Sequence, residues 1–375
     1  MEFIIKKEDF LRCLQKAQGV VEKRNIMPIL ENALIEAKAE SMNFTATDLE
    51  VGIHGSCRAE VIKEGKVTLL VKKVQEIVRE LPEDRVLLRL KESEQGGRWV
   101  EILSGKAVFN IASMDYEDYP ALPKYEDAEL FEIDSEIMLE MIRKTIFAAS
   151  IEDSAYNVNG IFFKKGMDKI RMVATDGRRL SVIEKDNIGN KDLVLEEGII
   201  FPKKGLNELK RILEDNKEGK KTLIGFKGNN GIFRIDNLLI IMRLIEGKFP
   251  DYNILIPKDN NNRFKIDRRK ILGSFKRVSL LSEERVKMIK FAISPGKIVL
   301  TASTPDCGEA YDEIKADYNE EEIEIYFNAD YFIEALSILE SEEVWFEIKD
   351  SSSPIIIKPL EENNHTCVIM PMSIE

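Results

Sequence analysis

The chain contains 375 residues, of which 44% are hydrophobic and 33% are charged, and its formal net charge is −12. It has no run of roughly 18 apolar residues, which argues against a membrane span, and its N-terminus lacks the apolar stretch of a signal peptide. The acidic charge argues, at first sight, against nucleic acid as a partner. Four scattered cysteines without a C-x-x-C pair indicate reduced thiols, and the two histidines lie in no metal-ligand motif. We therefore expect a cytoplasmic protein that binds no membrane and holds neither a metal nor a cofactor.

The predicted elements recur three times in chain order. Each third opens with a strand that runs into a helix, at Phe3, Phe131 and Phe264. A short turn then recurs at steps of 128 residues, at Ala46-Thr47-Asp48, Ala174-Thr175-Asp176 and Ala302-Ser303-Thr304. A second strand and helix begin at Leu69, Ile199 and Ile325.

Repetition at a fixed period indicates similar units arranged in series, and units of about 125 residues have the size of domains. We predict three domains, at residues 1–128, 129–259 and 260–375, and refer to them as the first, second and third repeats. The pattern of each repeat is a strand, a helix, several alternating strands, a second helix and further strands. It indicates an α+β fold in which two helices pack on antiparallel sheets.

Six helices are predicted, two in each repeat, with approximate limits 5–24, 72–81, 135–147, 202–213, 263–277 and 328–343. Periodicity in the first helix predicts one apolar stripe, formed by Phe10, Leu11, Leu14, Ala17 and Val21. Polar residues stand where N-caps are expected, at Asp134, Asp267 and Asn328.

Charge is distributed unevenly between helices and strands. The six helical segments carry a net charge of +8, which leaves −20 for the rest of the chain. In the fourth helix, Lys203 lies two turns from Lys210, and Lys204 lies two turns from Arg211, so each pair shares a face. With helices on one face of each unit and the sheet on the other, a string of such units would form a curved wall whose helical side is basic. The local field of that side, and not the net charge of the chain, decides what it attracts.

Four motifs in this order and spacing, ATDLE, VATDGRRLS, FPDYNILIP and the terminal VIMPMSIE, resemble those of the bacterial sliding clamps, the beta subunits of DNA polymerase III. The resemblance covers the whole chain. It implies three clamp domains that form half of a closed ring, completed head to tail by a second copy around double-stranded DNA. The implied function is that of a non-catalytic processivity factor. Its implied partners are the replicative DNA polymerase, the clamp loader, and other polymerases and repair proteins that carry a clamp-binding peptide.

The resemblance also implies two sets of site residues. The positions that match DNA contacts are Arg24, Lys72, Lys73, Lys203, Lys204, Asn328 and Tyr331. The positions that match an apolar cleft for a partner peptide are Val158, Thr175, Arg178, Leu180, Pro250, Ile254, Leu255, Val368, Met370, Pro371 and Met372. Methionine side chains adapt to varied ligands, which suits the two that flank Pro371. The chain departs from the family pattern at Asn157, Ile254, Val286, Ser373 and Glu375.

Two other readings compete with this one. An enzyme is disfavoured because the sequence contains no phosphate-binding loop, dinucleotide fingerprint or metalloprotease motif. Asp48 and Asp176 could be paired carboxylates, but an aspartate in such a turn more often binds the local backbone, and the third copy has Thr304. The second alternative is a monomeric scaffold of the same fold that binds peptides without encircling DNA.

Overall fold

The computed structural model describes residues 1–21, 27–92, 97–150, 158–186, 195–215, 221–260, 262–361 and 364–373. Within these ranges it contains the six predicted helices: α1 (Lys7–Val20), α2 (Val71–Glu80), α3 (Ser135–Arg143), α4 (Lys203–Asp215), α5 (Arg268–Val278) and α6 (Ala329–Ser337). The predicted caps are also present. The side chains of Asp134, Asp267 and Asn328 each accept a backbone N–H from the first turn of the helix that follows.

The strands follow the predicted threefold pattern. Those of the first repeat are β1 (Glu2–Lys6), β2 (Asn32–Lys38), β3 (Ser41–Thr47), β4 (Val51–Arg58), β5 (Glu60–Lys63), β6 (Gly65–Leu70), β7 (Arg85–Glu92), β8 (Arg98–Ser104) and β9 (Ala107–Ala112). Those of the second are β10 (Leu130–Asp134), β11 (Gly160–Lys165), β12 (Lys169–Thr175), β13 (Arg179–Asp186), β14 (Leu195–Pro202), β15 (Lys221–Lys227), β16 (Asn230–Ile235) and β17 (Leu238–Arg243). Those of the third are β18 (Asn262–Asp267), β19 (Met288–Ser294), β20 (Lys297–Thr304), β21 (Gly308–Lys315), β22 (Ile323–Asn328), β23 (Glu343–Ile348), β24 (Ile355–Pro359) and β25 (His365–Ile369).

One sheet of eight strands joins the first repeat to the second. Its order is β10-β15-β16-β17-β4-β3-β2-β6. The join is the antiparallel pair of β17 and β4, in register from Leu238 with Gly55 to Met242 with Val51. A sheet therefore does not end where a repeat ends, because the last strand of the second repeat adds to the sheet of the first.

A second eight-stranded sheet joins the second repeat to the third in the same way. Its order is β14-β11-β12-β13-β25-β24-β23-β18, and the join is the antiparallel pair of β13 and β25. The two remaining sheets contain strands of one repeat only. They are the five-stranded sheet β5-β1-β7-β8-β9 and the four-stranded sheet β21-β20-β19-β22.

These joins divide the chain into two compact units that cut across the predicted domains. Unit 1 comprises Met1–Glu136 and Lys204–Leu244, and unit 2 comprises Ile137–Lys203 and Ile245–Glu375. Each unit contains one of the eight-stranded sheets. The predicted domain limits therefore follow the sequence repeat, whereas the compact units follow the sheets.

The core of unit 2 beneath the third repeat is aromatic. Phe332 on α6 stacks on Phe275 of α5 with ring centroids 4.3 Å apart, and it also meets Phe327 at 5.0 Å and Phe346 at 6.1 Å. All four side chains are fully buried. Burial of large rings stabilises a fold by several kcal/mol each, at roughly 25 cal/mol per Å² of apolar surface.

The predicted apolar stripe of α1 is wrong at two positions. The buried residues are Phe10, Cys13, Leu14, Ala17 and Val20, whereas Leu11 and Val21 are only partly buried. Cys13 replaces Leu11 because the stripe at 3.6 residues per turn runs through positions 10, 13, 14 and 17, and a free cysteine packs like a small apolar residue. Val21 is the C-cap, where the chain is already extended.

Candidate functional site

An apolar cluster lies on one face of the eight-stranded sheet of unit 2, and we call it the cleft cluster. Its buried members are Val173, Leu180, Tyr252, Ile356 and Val368. Leu180 and Ile356 are the direct cross-strand neighbours of Val368, so three adjacent strands form its floor. Phe162, Val182, Phe249, Leu255 and Ile256 pack around it and are only partly buried. Apolar side chains left partly exposed around a buried floor can receive apolar residues of a partner.

The 3-10 turn Tyr252–Leu255 forms one wall of the cleft cluster. Asp251 caps this turn by accepting the N–H of Asn253 at 3.1 Å. The ring of Tyr252 lies 6.2 Å from that of Phe162, and its hydroxyl accepts a hydrogen bond of 2.7 Å from Arg171. Arg171 is held in turn by Glu184. The wall is therefore fixed both by ring packing and by a charge-assisted hydrogen bond.

The C-terminal segment is held beside the cleft cluster by two backbone hydrogen bonds. The N–H of Met370 donates to the carbonyl of Arg178 at 2.8 Å, and the N–H of Met372 donates to the carbonyl of Tyr326 at 2.7 Å. Met370, Pro371 and Met372 are half-buried. The backbone is thus anchored, while both methionines are only half-buried and have the flexible side chains that adapt to varied contacts.

All eleven residues predicted for the peptide cleft belong to unit 2. Four of them are buried: Val158, Thr175, Leu180 and Val368. Five are half-buried: Pro250, Leu255, Met370, Pro371 and Met372. Arg178 is exposed, and the side chain of Ile254 is 80% exposed.

Sequence reasoning missed the aromatic part of the cleft cluster, namely Phe162, Phe249 and Tyr252. Phe249 and Tyr252 flank the predicted Pro250 in the FPDYN turn, so their position in that turn was the available signal. Phe162 gave none, because the run GIFFKK has an apolar residue on both faces of the strand.

The turns at Thr47-Asp48 and Thr175-Asp176 have the same hydrogen bonds. In each, the threonine hydroxyl donates to a backbone carbonyl four residues later, at 3.0 Å for Thr47 and 2.6 Å for Thr175. Each aspartate accepts two N–H groups of its own turn, through Oδ1. The carboxylates therefore serve the local backbone, as the turn chemistry predicted.

A serine and a histidine do meet in unit 2, on the strands that carry Leu180 and Val368. The hydroxyl of Ser181 lies 2.9 Å from Nε2 of His365, and both approach the carbonyl of Lys144. Both side chains are buried, with exposures of 0% and 1%, so no substrate reaches them. Burial, and then the positive charge of Lys144, lower the pKa of His365 to about 3. This pair is a structural hydrogen bond between two strands.

The residues predicted for DNA contact differ in how far their side chains are engaged. Lys72 and Lys73 at the start of α2 are exposed, and Lys73 pairs with Glu76 at 2.7 Å. Lys203 is half-buried, donates to the carbonyl of Ala149 at 2.7 Å, and has a pKa lowered mainly by burial. Lys204 forms an ion pair with Asp48. Arg24 lies outside the described residues.

The last two predicted contacts belong to α6. Asn328 is its N-cap, and its amide also donates to the carbonyl of Val286 at 3.2 Å. The ring of Tyr331 is half-buried and lies 4.6 Å from the guanidinium of Arg179. Both side chains therefore already contact other residues of the chain, and a contact with DNA would have to be made in addition to these contacts or in place of them.

The observed helices are less basic than the sequence predicted. With the observed limits their net charge is +5 rather than +8. The sum equals the charge of α5 alone, which contains Arg268, Arg269, Lys270, Lys276 and Arg277 and no carboxylate. The difference follows from the limits of the helices. Lys6, Arg263, Lys265 and Asp267 lie in strands, Lys144 follows α3, and residues 22–24 lie outside the described residues. In addition, α4 extends to include Glu214 and Asp215, whereas α6 ends before Glu340, Glu342 and Glu343.

The described residues were also compared with three other kinds of site: a ligand cavity, a metal site and a membrane span. A cavity of about 700 Å³ in unit 1 has mixed charge around it, from Lys6, Asp9, Glu40, Arg58 and Arg85. No group of three His, Cys, Asp or Glu residues in the described ranges is placed to hold a metal ion. None of the described helices has both the length and the apolar character needed to cross a bilayer.

These observations define a class of protein with repeated α+β units, sheets that continue from one repeat to the next, and a partly open apolar cluster beside an anchored C-terminus. Three family descriptions match the chain in order. They are the N-terminal, central and C-terminal domains of the DNA polymerase III beta subunit, at residues 1–123, 132–251 and 253–373. The beta sliding clamp of Pseudomonas aeruginosa is 30% identical over 379 residues, which cover all of both chains.

Solved structures agree over the same length. A sliding clamp from Bartonella birtlesii, bound to griselimycin, has a TM-score of 0.92 at 30% identity and covers all of both chains. The Caulobacter crescentus beta sliding clamp, with polyethylene glycol bound to a putative beta-motif tethering region, has a TM-score of 0.92 at 29% identity and covers 100% of this chain and 99% of that one. The chain belongs to the DNA polymerase III beta subunit family, the beta sliding clamps. Its function is that of a processivity factor in DNA replication.

The buried His365 predicts a stability that depends on pH. Its pKa of about 3 in the folded chain lies below its ordinary value, so the unfolded chain binds a proton first as the pH falls. The stabilisation is complete above about pH 6.5 and is lost towards pH 3, by at most about 1.4 kcal/mol per pH unit. Urea unfolding of the wild type and of His365→Gln across this range measures the effect. We expect a shallower pH dependence in the variant, and equal slopes would contradict the assignment.

Proposed function

We propose that two copies of this chain close head to tail into a ring. The five-stranded sheet of the first repeat in one copy would pair with the four-stranded sheet of the third repeat in the other. The observation that carries the proposal is a rule in the sheet topology. The last strand of the second repeat, β17, pairs with β4, and the last strand of the third repeat, β25, pairs with β13. Both β4 and β13 directly follow the recurring turn.

The corresponding strand of the third repeat is β21, which is an edge strand, and the last strand of the first repeat is β9, also an edge strand. Applying the rule once more pairs β9 of one copy with β21 of another. Both edges carry exposed apolar side chains, with Val108 52% exposed on β9 and Tyr311 65% exposed on β21. Unpaired edges with exposed apolar residues favour association with another strand. The pairing is heterologous, and two such junctions close the ring.

A ring of this kind accounts for a processivity factor without tight DNA contacts. Topology retains the clamp on duplex DNA, so the protein needs only weak phosphate contacts, which position it without reading the sequence. We propose that the exposed Lys72 and Lys73 supply such contacts, and that Lys203 and Tyr331 add to them near the starts of α4 and α6. Arg24, Lys204 and Asn328 match family positions as well, but Lys204 is paired with Asp48 and Asn328 is bonded to the carbonyl of Val286.

We further propose that the cleft cluster binds a short linear peptide of the partner proteins. Its partly exposed rim, the anchored Met370-Pro371-Met372 segment and the eleven matched residues support this. The partners would be the replicative DNA polymerase, the clamp loader, and other polymerases and repair proteins in the cytoplasm. The chain itself would be non-catalytic, which the turn-bound Asp48 and Asp176 and the buried Ser181 and His365 support. The limits 1–128, 129–259 and 260–375 are our proposal for its domains.

Retention on circular DNA tests the ring directly. A clamp loaded onto a closed circle should survive a wash at high salt and should be released when the circle is cut, because retention is topological. Light scattering should give twice the chain mass of 43.0 kDa. A protein that remains a monomer at micromolar concentration and leaves the intact circle in salt would instead be the peptide-binding scaffold.

Removal of residues 370–375 should abolish binding of a peptide from the C-terminus of the replicative polymerase. The deletion removes the half-buried methionines and both backbone hydrogen bonds of the segment. Binding measured by calorimetry should weaken at least about tenfold. Deletion of residues 373–375 alone is the matched control and should retain most of the affinity. Unchanged affinity in the longer deletion, with the dimer intact, would show that the peptide binds elsewhere.

Replacement of Lys72 and Lys73 by alanine should weaken contact with duplex DNA without affecting the peptide. Each lost phosphate contact lowers the slope of log binding against log salt by about 1. The slope is measured on a linear duplex, where topology does not retain the protein. Lys106→Ala, an exposed lysine in the turn after β8, is the control. Equal slopes for the double variant and the control would place these lysines outside the DNA path.

A further inference from the structure

Lys204 on α4 faces the first repeat. Its ammonium pairs with Oδ2 of Asp48, the aspartate of the recurring turn. The carboxylate is 3% exposed, and the lysine side chain is 29% exposed. Oδ1 of Asp48 is already used by the N–H groups of Glu50 and Val51, so the lysine meets the remaining oxygen of a carboxylate in a fixed position.

Arg211 lies two turns along the same face of α4 and also contacts the first repeat. Its guanidinium donates to the carbonyls of Gln15 at 3.0 Å and Lys16 at 3.2 Å, near the end of α1. Glu208 holds the same guanidinium at 2.7 Å. The two helices approach closely at Gly19, where a Cβ atom would overlap the carboxylate of Glu208. The Lys204–Arg211 face, which the sequence assigned to a shared basic surface, is therefore packed against the preceding repeat.

The junction between the second and third repeats uses the same turn with a different cation. Arg179 binds Asp176 of its own turn at 3.1 Å and pairs with Glu334 on α6. Its guanidinium also donates to the carbonyl of Phe147 at 2.7 Å and lies over the ring of Tyr331. Here too the aspartate of the turn is linked to the second helix of the next repeat, within unit 2.

The turn of the third repeat differs. Thr304 occupies the position of Asp48 and Asp176, and its hydroxyl donates to the carbonyl of Leu281 at 2.7 Å. The acid is thus present at the turns of the first and second repeats, each of which is linked to the second helix of the next repeat, and is replaced by threonine in the third.

We propose that Lys204 and Arg211, with Asp48, are junction residues that fasten the second repeat to the first, and that Arg179 with Asp176 and Glu334 fastens the third to the second. Lys204 is then a positioning residue for the arrangement of consecutive repeats and not a phosphate contact. These contacts lie within one chain and do not depend on closure of a ring.

Hydrogen exchange of the full-length protein tests the junction. The amides to follow are those of β17, which pairs with β4, the strand that follows the turn of Asp48. Lys204→Met leaves the buried Asp48 without its cation, so the amides of Leu238–Arg243 should exchange at least about tenfold faster. Asp48→Asn keeps the turn acceptor but removes the charge. In the double variant Lys204→Met with Asp48→Asn, much of the protection should return, because no unpaired charge is left buried. If Lys204→Met acted only through the helix propensity of α4, adding Asp48→Asn would restore nothing. Lys204→Arg should behave as wild type, and Lys210→Met on the same helix is the matched control.

Three results would overturn the proposal. Lys204→Met could match Lys210→Met in exchange, or Asp48→Asn could fail to restore protection. Lys204→Met could also lower the salt slope of duplex binding by about 1 with exchange unchanged, which would make Lys204 a phosphate contact. Failure of ring closure on circular DNA would leave these measurements unaffected, so the two proposals are tested separately.

Discussion

The constraint on which the structure depends is the antiparallel backbone ladder that passes from one repeat to the next. In the pairs β17–β4 and β25–β13, N–H and C=O groups that would otherwise form a sheet edge are satisfied by the neighbouring repeat. No repeat therefore has a closed set of strands of its own. The first and third repeats each also have one sheet made only of their own strands. These two sheets keep edge strands whose N–H and C=O groups can pair with another strand.

Consecutive repeats are joined by backbone ladders and are also held in position by polar side-chain contacts. The recurring turn holds its aspartate through two backbone N–H groups, so the second carboxylate oxygen points in a defined direction with little loss of side-chain entropy on pairing. At one junction a lysine meets the acid, and at the other an arginine adds stacking on Tyr331 and a bond to a carbonyl. Arginine suits the second junction because its planar fork can satisfy several acceptors at once.

The cleft cluster follows from the same shared sheet. Val368 lies between Leu180 of the second repeat and Ile356 of the third, so its floor exists only where strands of two repeats meet. The strand that carries Val368 is fixed from the opposite face by the buried pair of Ser181 and His365. A rigid floor with flexible methionines at the rim suits the peptide binding that we propose for this cluster.

The sequence by itself determined the six helices, their caps and the turns, because each depends on residues within a few positions of one another. It also determined the threefold repeat, because those local patterns recur at steps of 128 residues. It also identified the family, whose motifs are local. Only the tertiary structure decided where the side chains of those elements are used. Cys13 rather than Leu11 lies in the core at α1, Phe162 packs against the cleft cluster, and Lys204 pairs with Asp48, 156 residues earlier in the sequence (204 − 48). Periodicity assigns a residue to a face of its own element, but it does not tell which distant element covers that face, and the covering element decides whether a charge is solvated or paired.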